Sequence, residues 1–325
     1  MSKGLITRRN LLLFAAGSSV GGFFLPLSKL GYRRYQIHQL TRQERNFNVS
    51  GEQSLAERAA AKGLLYGAAT QNILLVQNSD FATLFLRECA VLVTENDLQW
   101  NKVHPLVDQF DFADADALVE FAKSNNLVFR GHNLVWHNCL PNWYKEAVNS
   151  SNVEQVLVNH IQRVVGRYSG RVHSWDVVNE AIEPQDGRSD NLRKTPWLEL
   201  LGADYIKLAF QVAAEADPNA LLVYNDYGLE YDTAEHDAKR SAVLKLLERL
   251  KTQGAPIHAF GMQSHLQGHE TRLNPEKLRR FLADIASLGL KILVTELDVV
   301  DSGLPADVAK RDRIVASVYE GNYSA

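Results

Sequence analysis

The sequence is short of the residues that build a cross-linked or metal-held fold. It has two cysteines, Cys89 and Cys139, in 325 residues, too few for a disulfide framework. They precede the second and follow the third of the strands inferred below, so a parallel barrel sets them toward opposite ends, unpaired. An excess of one charge is also missing: 35 Lys and Arg stand against 38 Asp and Glu, a formal net charge of -3. With no long basic or acidic run, there is no electrostatic reason to expect nucleic acid or another charged partner. The chain has no His-x-His pair on its first strand and no HExxH helix motif, so no metal site is expected. Short internal repeats and low-complexity segments are absent as well. What remains is a chain with 46% hydrophobic residues, ordinary for one large globular domain or two small ones.

The N-terminus carries an address. Lys3, Arg8 and Arg9 precede a Gly- and Ser-bearing apolar stretch over residues 11–27. Thr7-Arg8-Arg9-Asn10-Leu11-Leu12 resembles a twin-arginine export signal; an ordinary secretory signal or an uncleaved anchor are the alternatives. Residues 1–30 are therefore read as an export signal or N-terminal anchor, and the protein as exported, periplasmic or extracellular, and bacterial. Any membrane contact would run through this segment alone. Residues 31–50 are polar, rich in Arg and Gln and without apolar periodicity, as in a linker. Residues 51–325 form the folded domain.

From residue 55 onward, strand-like and helix-like segments alternate, the pattern of an α/β fold with a parallel sheet. Strands are predicted over 64–69, 90–94, 127–133, 172–178, 221–225, 259–264 and 290–295. Helices are predicted over 55–62, 115–123, 153–168, 203–216, 238–253, 275–288 and 308–319. Seven strands in this rhythm point to a (β/α)8 TIM-type barrel, which has eight. The chain stops at Ala325, so the expectation is a barrel lacking its last strand and helix, with lower stability and activity than a complete one.

Polar residues gather where these strands end. Ser174-Trp175-Asp176-Val177-Val178-Asn179-Glu180 and Lys291-Ile292-Leu293-Val294-Thr295-Glu296 both read as buried strands running into a carboxylate. The other strand ends carry Thr94-Glu95-Asn96, Gly131-His132 through Trp136-His137, Asn225-Asp226-Tyr227 and Gln263-Ser264-His265, with Gln263 and His265 two apart and so on one strand face. Taken singly, each has an ordinary explanation in packing or solvation. Six successive strands ending in polar residues do not, whereas a barrel with its chemistry at the strand C-termini requires that distribution.

These residues resemble the family 10 glycoside hydrolases, chiefly endo-β-1,4-xylanases, from about residue 55 to the end. Glu95-Asn96-Asp97-Leu98-Gln99-Trp100 is similar to that family's ENxMKW, residues 131–137 to GHxLVWH and residues 175–181 to WDVVNEA. Residues 225–227 match NDY, 261–266 match G(I/M)QSHL, and 295–298 match TELD. The resemblance implies a retaining double displacement with Glu180 as general acid/base and Glu296 as nucleophile, their carboxyl groups about 5–5.5 Å apart. It further implies that His265 and Asp298 orient Glu296, that Asn179 holds the sugar 2-hydroxyl, and that Glu95, Asn96, Gln99, His132, Trp136, Gln263 and His265 contact the substrate. Trp136 would offer its ring face to a pyranose. No cofactor is implied; the partner is a polysaccharide, xylan, and the protein, if complete, is expected as a monomer. Gln99 replaces the lysine of the family motif, which predicts weaker sugar binding. A β-1,4-glucanase on a similar barrel, or an inactive sugar-binding fragment, are the alternatives.

Overall fold

The computed structural model of the protein describes residues 51–323 together with residue 31. The export segment and, apart from Gly31, the linker lie outside the described residues. No described helix is long and apolar enough to cross a membrane.

Seven strands make one parallel sheet: β1 Gly67–Thr70, β2 Val91–Thr94, β3 Val128–Val135, β4 Ser174–Asn179, β5 Leu221–Asp226, β6 Ala259–Met262 and β8 Lys291–Val294. Two short strands, β7 His265–Gln267 and β9 Asp298–Val300, pair separately with each other. The seven strands lie side by side in the order in which they occur along the chain, with only the short β7 intervening between β6 and β8. A doubly wound sheet would reverse its order at a switch point; a barrel wall does not.

Helices cover the crossovers. Asn72–Gln77 and Ser79–Glu88 join β1 to β2, Ala113–Ser124 joins β2 to β3, and Val153–Arg167 leads to β4. Tyr205–Ala216, Ala234–Thr252 and Pro275–Ser287 lead to β5, β6 and β8, and Val308–Tyr323 follows β9. Their starts are written in the sequence: the Thr233 side chain accepts the His236 N–H and the Asn274 side chain accepts the Lys277 N–H, with Pro275 just inside. Such caps satisfy donors that the helix cannot. Helix Val153–Arg167 buries Val153, Leu157, His160, Ile161, Val164 and Val165, three- and four-residue steps that lay one stripe on the sheet. The core between the sheet and its helices is aromatic at one end, where Trp100 stacks on His160 with ring centroids 3.5 Å apart.

Inside β3 and β4 the two-residue alternation sorts chemistry from packing. Arg130 and His132 pair in register with Ser174 and Asp176, while Gly131 pairs with Trp175. The Trp175 ring fills the space that a side chain at 131 would need: a Cβ there would lie 2.2 Å from the ring.

Four expectations are corrected. Residues 64–66 are not strand; Leu64 still donates its N–H to Ala59 of the preceding helix, and Leu64 and Leu65 are exposed. Pairing begins only where the Tyr66 carbonyl accepts the N–H groups of Ala90 and Val91. Two helices fill residues 72–88, where none was expected. The sixth strand ends at Met262 rather than 264, because Ser264 takes a left-handed backbone, φ 62°. Finally β8 is not buried: Ile292 and Val294 are exposed, since β8 has β6 on one side and no described strand on the other.

The Gly131 contact makes a prediction about packing. Gly131→Ala should destabilise the protein by about 1–3 kcal/mol through overpacking against Trp175, read from the midpoint of urea unfolding; an unchanged midpoint would show that the ring moves aside freely.

Candidate active site

The site is assembled at the C-terminal ends of β4, β5, β6 and β8 by a register line across the sheet. Asn179 of β4 pairs with Asn225 of β5, Asn225 with Gly261 of β6, and Gly261 with Leu293 of β8. Partners in a parallel sheet project to the same face, so the two asparagines stand side by side. Gly261 leaves a gap beside them: a Cβ there would lie 2.3 Å from Asn225 Oδ1 and 2.9 Å from Thr295 Cγ2. Through that gap the Asn225 amide reaches β8. Its Nδ2 donates to Glu296 Oε1 at 2.7 Å and to Asn179 Oδ1 at 2.9 Å, and its Oδ1 accepts the Thr295 hydroxyl at 2.7 Å.

The chain continues to Glu180. Gln263 Nε2 donates to Asn179 Oδ1 at 3.2 Å and to Glu180 Oε1 at 3.1 Å, and Asn179 Nδ2 donates to Glu180 Oε1 at 3.2 Å. Glu180 and Glu296, 116 residues apart in sequence, thus belong to one hydrogen-bonded assembly. Glu180 has a left-handed backbone, φ 58°, a state that costs a non-glycine residue about 1–3 kcal/mol and persists only where its surroundings enforce it.

Glu296 is held ionised. Burial by itself would push its carboxyl up, but the His265 hydrogen bond, the nearby His132 and the Asn225 amide outweigh burial and hold it below the usual carboxylate value. His265 lies between two carboxylates, Nε2 at 3.2 Å from Glu296 Oε2 and Nδ1 at 2.8 Å from Asp298 Oδ2. The Glu296 hydrogen bond and the Asp298 charge raise its pKa to about 9, so near neutrality it is an imidazolium donating to both. β7 and β9 explain the placement: His265 pairs with Asp298 in their short ladder. Gln263 and His265 therefore do not share one strand face; the left-handed Ser264 between them aims Gln263 at Glu180 and His265 at Glu296.

A second ionic set lies under the first. Asp176, fully buried, receives Arg130 Nη2 at 2.7 Å on one oxygen and faces His132 Nδ1 at 2.9 Å on the other. Burial raises the Asp176 carboxyl, but the Arg130 charge and the His132 bond bring it below its ordinary value. His132, which burial would lower, is raised by Asp176.

Other predicted residues sit to one side. Glu95 is exposed and accepts Gln71 Nε2 at 3.2 Å. Gln99 is buried, and its amide nitrogen donates to Asn96 Oδ1 at 3.0 Å and to the Glu95 carbonyl at 3.4 Å. It braces that turn instead of pointing a donor outward. Trp136 is half-buried, its ring 6.4 Å from His132 and its carbonyl accepting Trp197 Nε1. Among the described residues no cluster of three His, Cys, Asp or Glu is arranged to hold a metal.

Asn225, Asp176, Thr295 and Arg193 complete the site and were not singled out as site residues from sequence. The first three lie inside the strand-end motifs, where a signal existed. Arg193 lies in the loop after β4 with no periodicity to mark it. With one partly buried carboxylate held ionised and a second carboxyl joined to it through Asn179 and Asn225, the arrangement is suited to nucleophilic attack paired with proton transfer.

Residues 54–321 match the model of Glycosyl hydrolase family 10. Endo-1,4-beta-xylanase B of Paenibacillus barcinonensis is 38% identical over 244 residues, covering 74% of this chain and 70% of that one. The beta-1,4-xylanase of Dictyoglomus thermophilum is 40% identical over 210 residues, covering 64% of this chain, which spans only 56% of the relative. Among solved structures, xylanase 10B from Thermotoga petrophila RKU-1 in complex with xylobiose superposes with a TM-score of 0.74 at 35% identity, covering 84% of this chain and 83% of that one.

The His265–Glu296 pair makes stability depend on pH in a defined window. His265 is raised from 6.5 to about 9, so its contribution is complete below about 6.5 and lost as pH rises through about 9. Glu296 is lowered from 4.5, so its contribution is present above about 4.5 and lost as pH falls through its folded value. The stability gap between the parent and His265→Ala, measured by urea unfolding, should be widest between about pH 4.5 and 6.5 and close on both sides. A gap independent of pH would contradict this account.

Proposed function

Because the chain belongs to glycosyl hydrolase family 10, we propose that it is an endo-1,4-β-xylanase, hydrolysing internal β-1,4-xylosidic bonds of xylan with retention of configuration. The observation that carries the reading is the hydrogen-bonded assembly joining Glu180 to Glu296 through Gln263, Asn179 and Asn225. Xylanases among its relatives and structural neighbours support the substrate.

In this reading Glu296 attacks the anomeric carbon while Glu180 gives its proton to the departing sugar oxygen. The C–O bond breaks and a glycosyl–Glu296 ester forms. Glu180, now ionised, then takes a proton from water, whose oxygen displaces Glu296 from the same face the leaving group left. The two inversions give net retention. Asn179 holds the 2-hydroxyl, where hydrogen bonds strengthen in the transition state. His265 and Asp298 keep Glu296 oriented and ionised, and Trp136 supplies an apolar face to a pyranose. A polymer too large to cross a membrane is met outside the cell, in keeping with an exported enzyme.

Reducing-sugar release from xylan and from soluble β-glucan by the purified chain tests this. Release from xylan is expected, reduced about 10²–10⁴-fold in Glu180→Ala and lost in Glu296→Ala. Equal or greater release from β-glucan would move the substrate to the glucanases; release that survives Glu296→Ala would remove the nucleophile.

A further inference from the structure

In the reading above, Glu180 delivers its proton from a left-handed backbone that costs a non-glycine residue energy to hold. Its left-handed peptide is held on one side by β5, where the Glu180 N–H donates to the Asn225 carbonyl at 2.9 Å. On the other side it is held by a side chain from the loop after β4. Arg193 Nε donates to the Glu180 carbonyl at 2.7 Å, and Arg193 Nη2 donates to the Tyr227 hydroxyl at 2.9 Å and to Glu183 Oε2 at 3.2 Å. The Arg193 side chain is 13% exposed, and the loop delivering it folds back on itself. Ile182 and Leu192 form an antiparallel bridge, and the Arg193 N–H donates to the Ala181 carbonyl at 2.8 Å.

The geometry points to Arg193 as a positioning residue for proton transfer: we propose that its guanidinium fixes the Glu180 peptide, and so the aim of the Glu180 carboxyl at the leaving oxygen, without touching the sugar itself. The proposal rests on the retaining-glycosidase reading given above. A planar fork suits the task, since one rigid group meets a carbonyl, a phenol and a carboxylate at once; an ammonium on a flexible stem has no such fixed geometry. Glu183 pairs with the same guanidinium, so the clamp adds little net charge beside a group that has to hold a proton until the bond breaks. Misplacing a reacting group by about 1 Å costs about 10²-fold in rate, and here the loss should fall on acid assistance alone.

Acid assistance matters in proportion to how badly the leaving group needs a proton. The test therefore compares kcat/KM on xylotriose, whose leaving group is a sugar hydroxyl, with kcat/KM on 2,4-dinitrophenyl β-xylobioside, whose phenolate leaves unprotonated. Glu180→Ala sets the limiting ratio. Arg193→Lys is expected to lose about 10²-fold on xylotriose, in kcat more than KM, and less than about 3-fold on the dinitrophenyl substrate. Both rates come from one preparation, so any unfolded fraction cancels in the ratio. Equal losses on both substrates, or none on either, overturn the proposal. Should Arg193→Lys yield no folded protein, Glu183→Ala, which strips one acceptor from the clamp, is expected to move the ratio the same way by about 5-fold; an unmoved ratio there overturns it equally. A parent chain inactive on both substrates would instead overturn the retaining-glycosidase reading, and this inference with it.

Discussion

The Asn225 amide is the contact on which the rest of the site depends. One nitrogen bonds the neighbouring strand's Asn179 and, across β6, Glu296 at the end of β8. A hydrogen bond cannot cross an occupied strand position, so the reach exists only because β6 presents Gly261 there. Thr295 fixes the amide's orientation by donating to its oxygen, which obliges the nitrogen to face the carboxylate. Lengthening any of these bonds would loosen both carboxyl groups together, since Asn179 and Gln263 pass the same constraint on to Glu180.

The two carboxyl groups meet different surroundings. Glu296 is surrounded by donors and by two histidines whose pKa values are themselves raised by other carboxylates, Asp298 for His265 and Asp176 for His132. An aspartate stands behind each histidine, and the arrangement keeps a partly buried carboxylate charged where burial alone would neutralise it. Glu180 receives only amide donors from Asn179 and Gln263, and the cation beside it is directed at its peptide and paired with Glu183. The layer beneath serves as a support: hydrogen bonds join Arg130 and His132 to the buried Asp176, as a charge removed from water requires.

The wall itself is uneven. β4, β5 and β6 are buried almost throughout, while β8 is exposed along most of its length and carries Glu296 just beyond its end. The nucleophile candidate therefore depends less on local burial than on bonds reaching it from the interior strands, which is why Asn225 and His265 weigh so heavily.

The strands and most helices were legible in the sequence because apolar periodicity and caps are local: β4, helix Val153–Arg167 and the Asn274–Pro275 start follow from residues within one turn or one strand of each other. The strand-end residues were legible as a set, Glu180, Glu296, Asn179, Gln263 and His265 among them, since a parallel sheet brings strand ends to one face whatever the intervening sequence. What the sequence by itself determined was thus the alternation, its sheet and the candidates along one face. Which candidates touch was decided only in three dimensions, by register and backbone conformation. The Asn179–Asn225–Gly261 line, the separate β7–β9 ladder and the return of Arg193 onto Glu180 join positions separated along the chain, and left-handed turns at Glu180 and Ser264 aim the side chains there. No local pattern encodes those distances, because they are set by how strands pair and loops close once the core has packed.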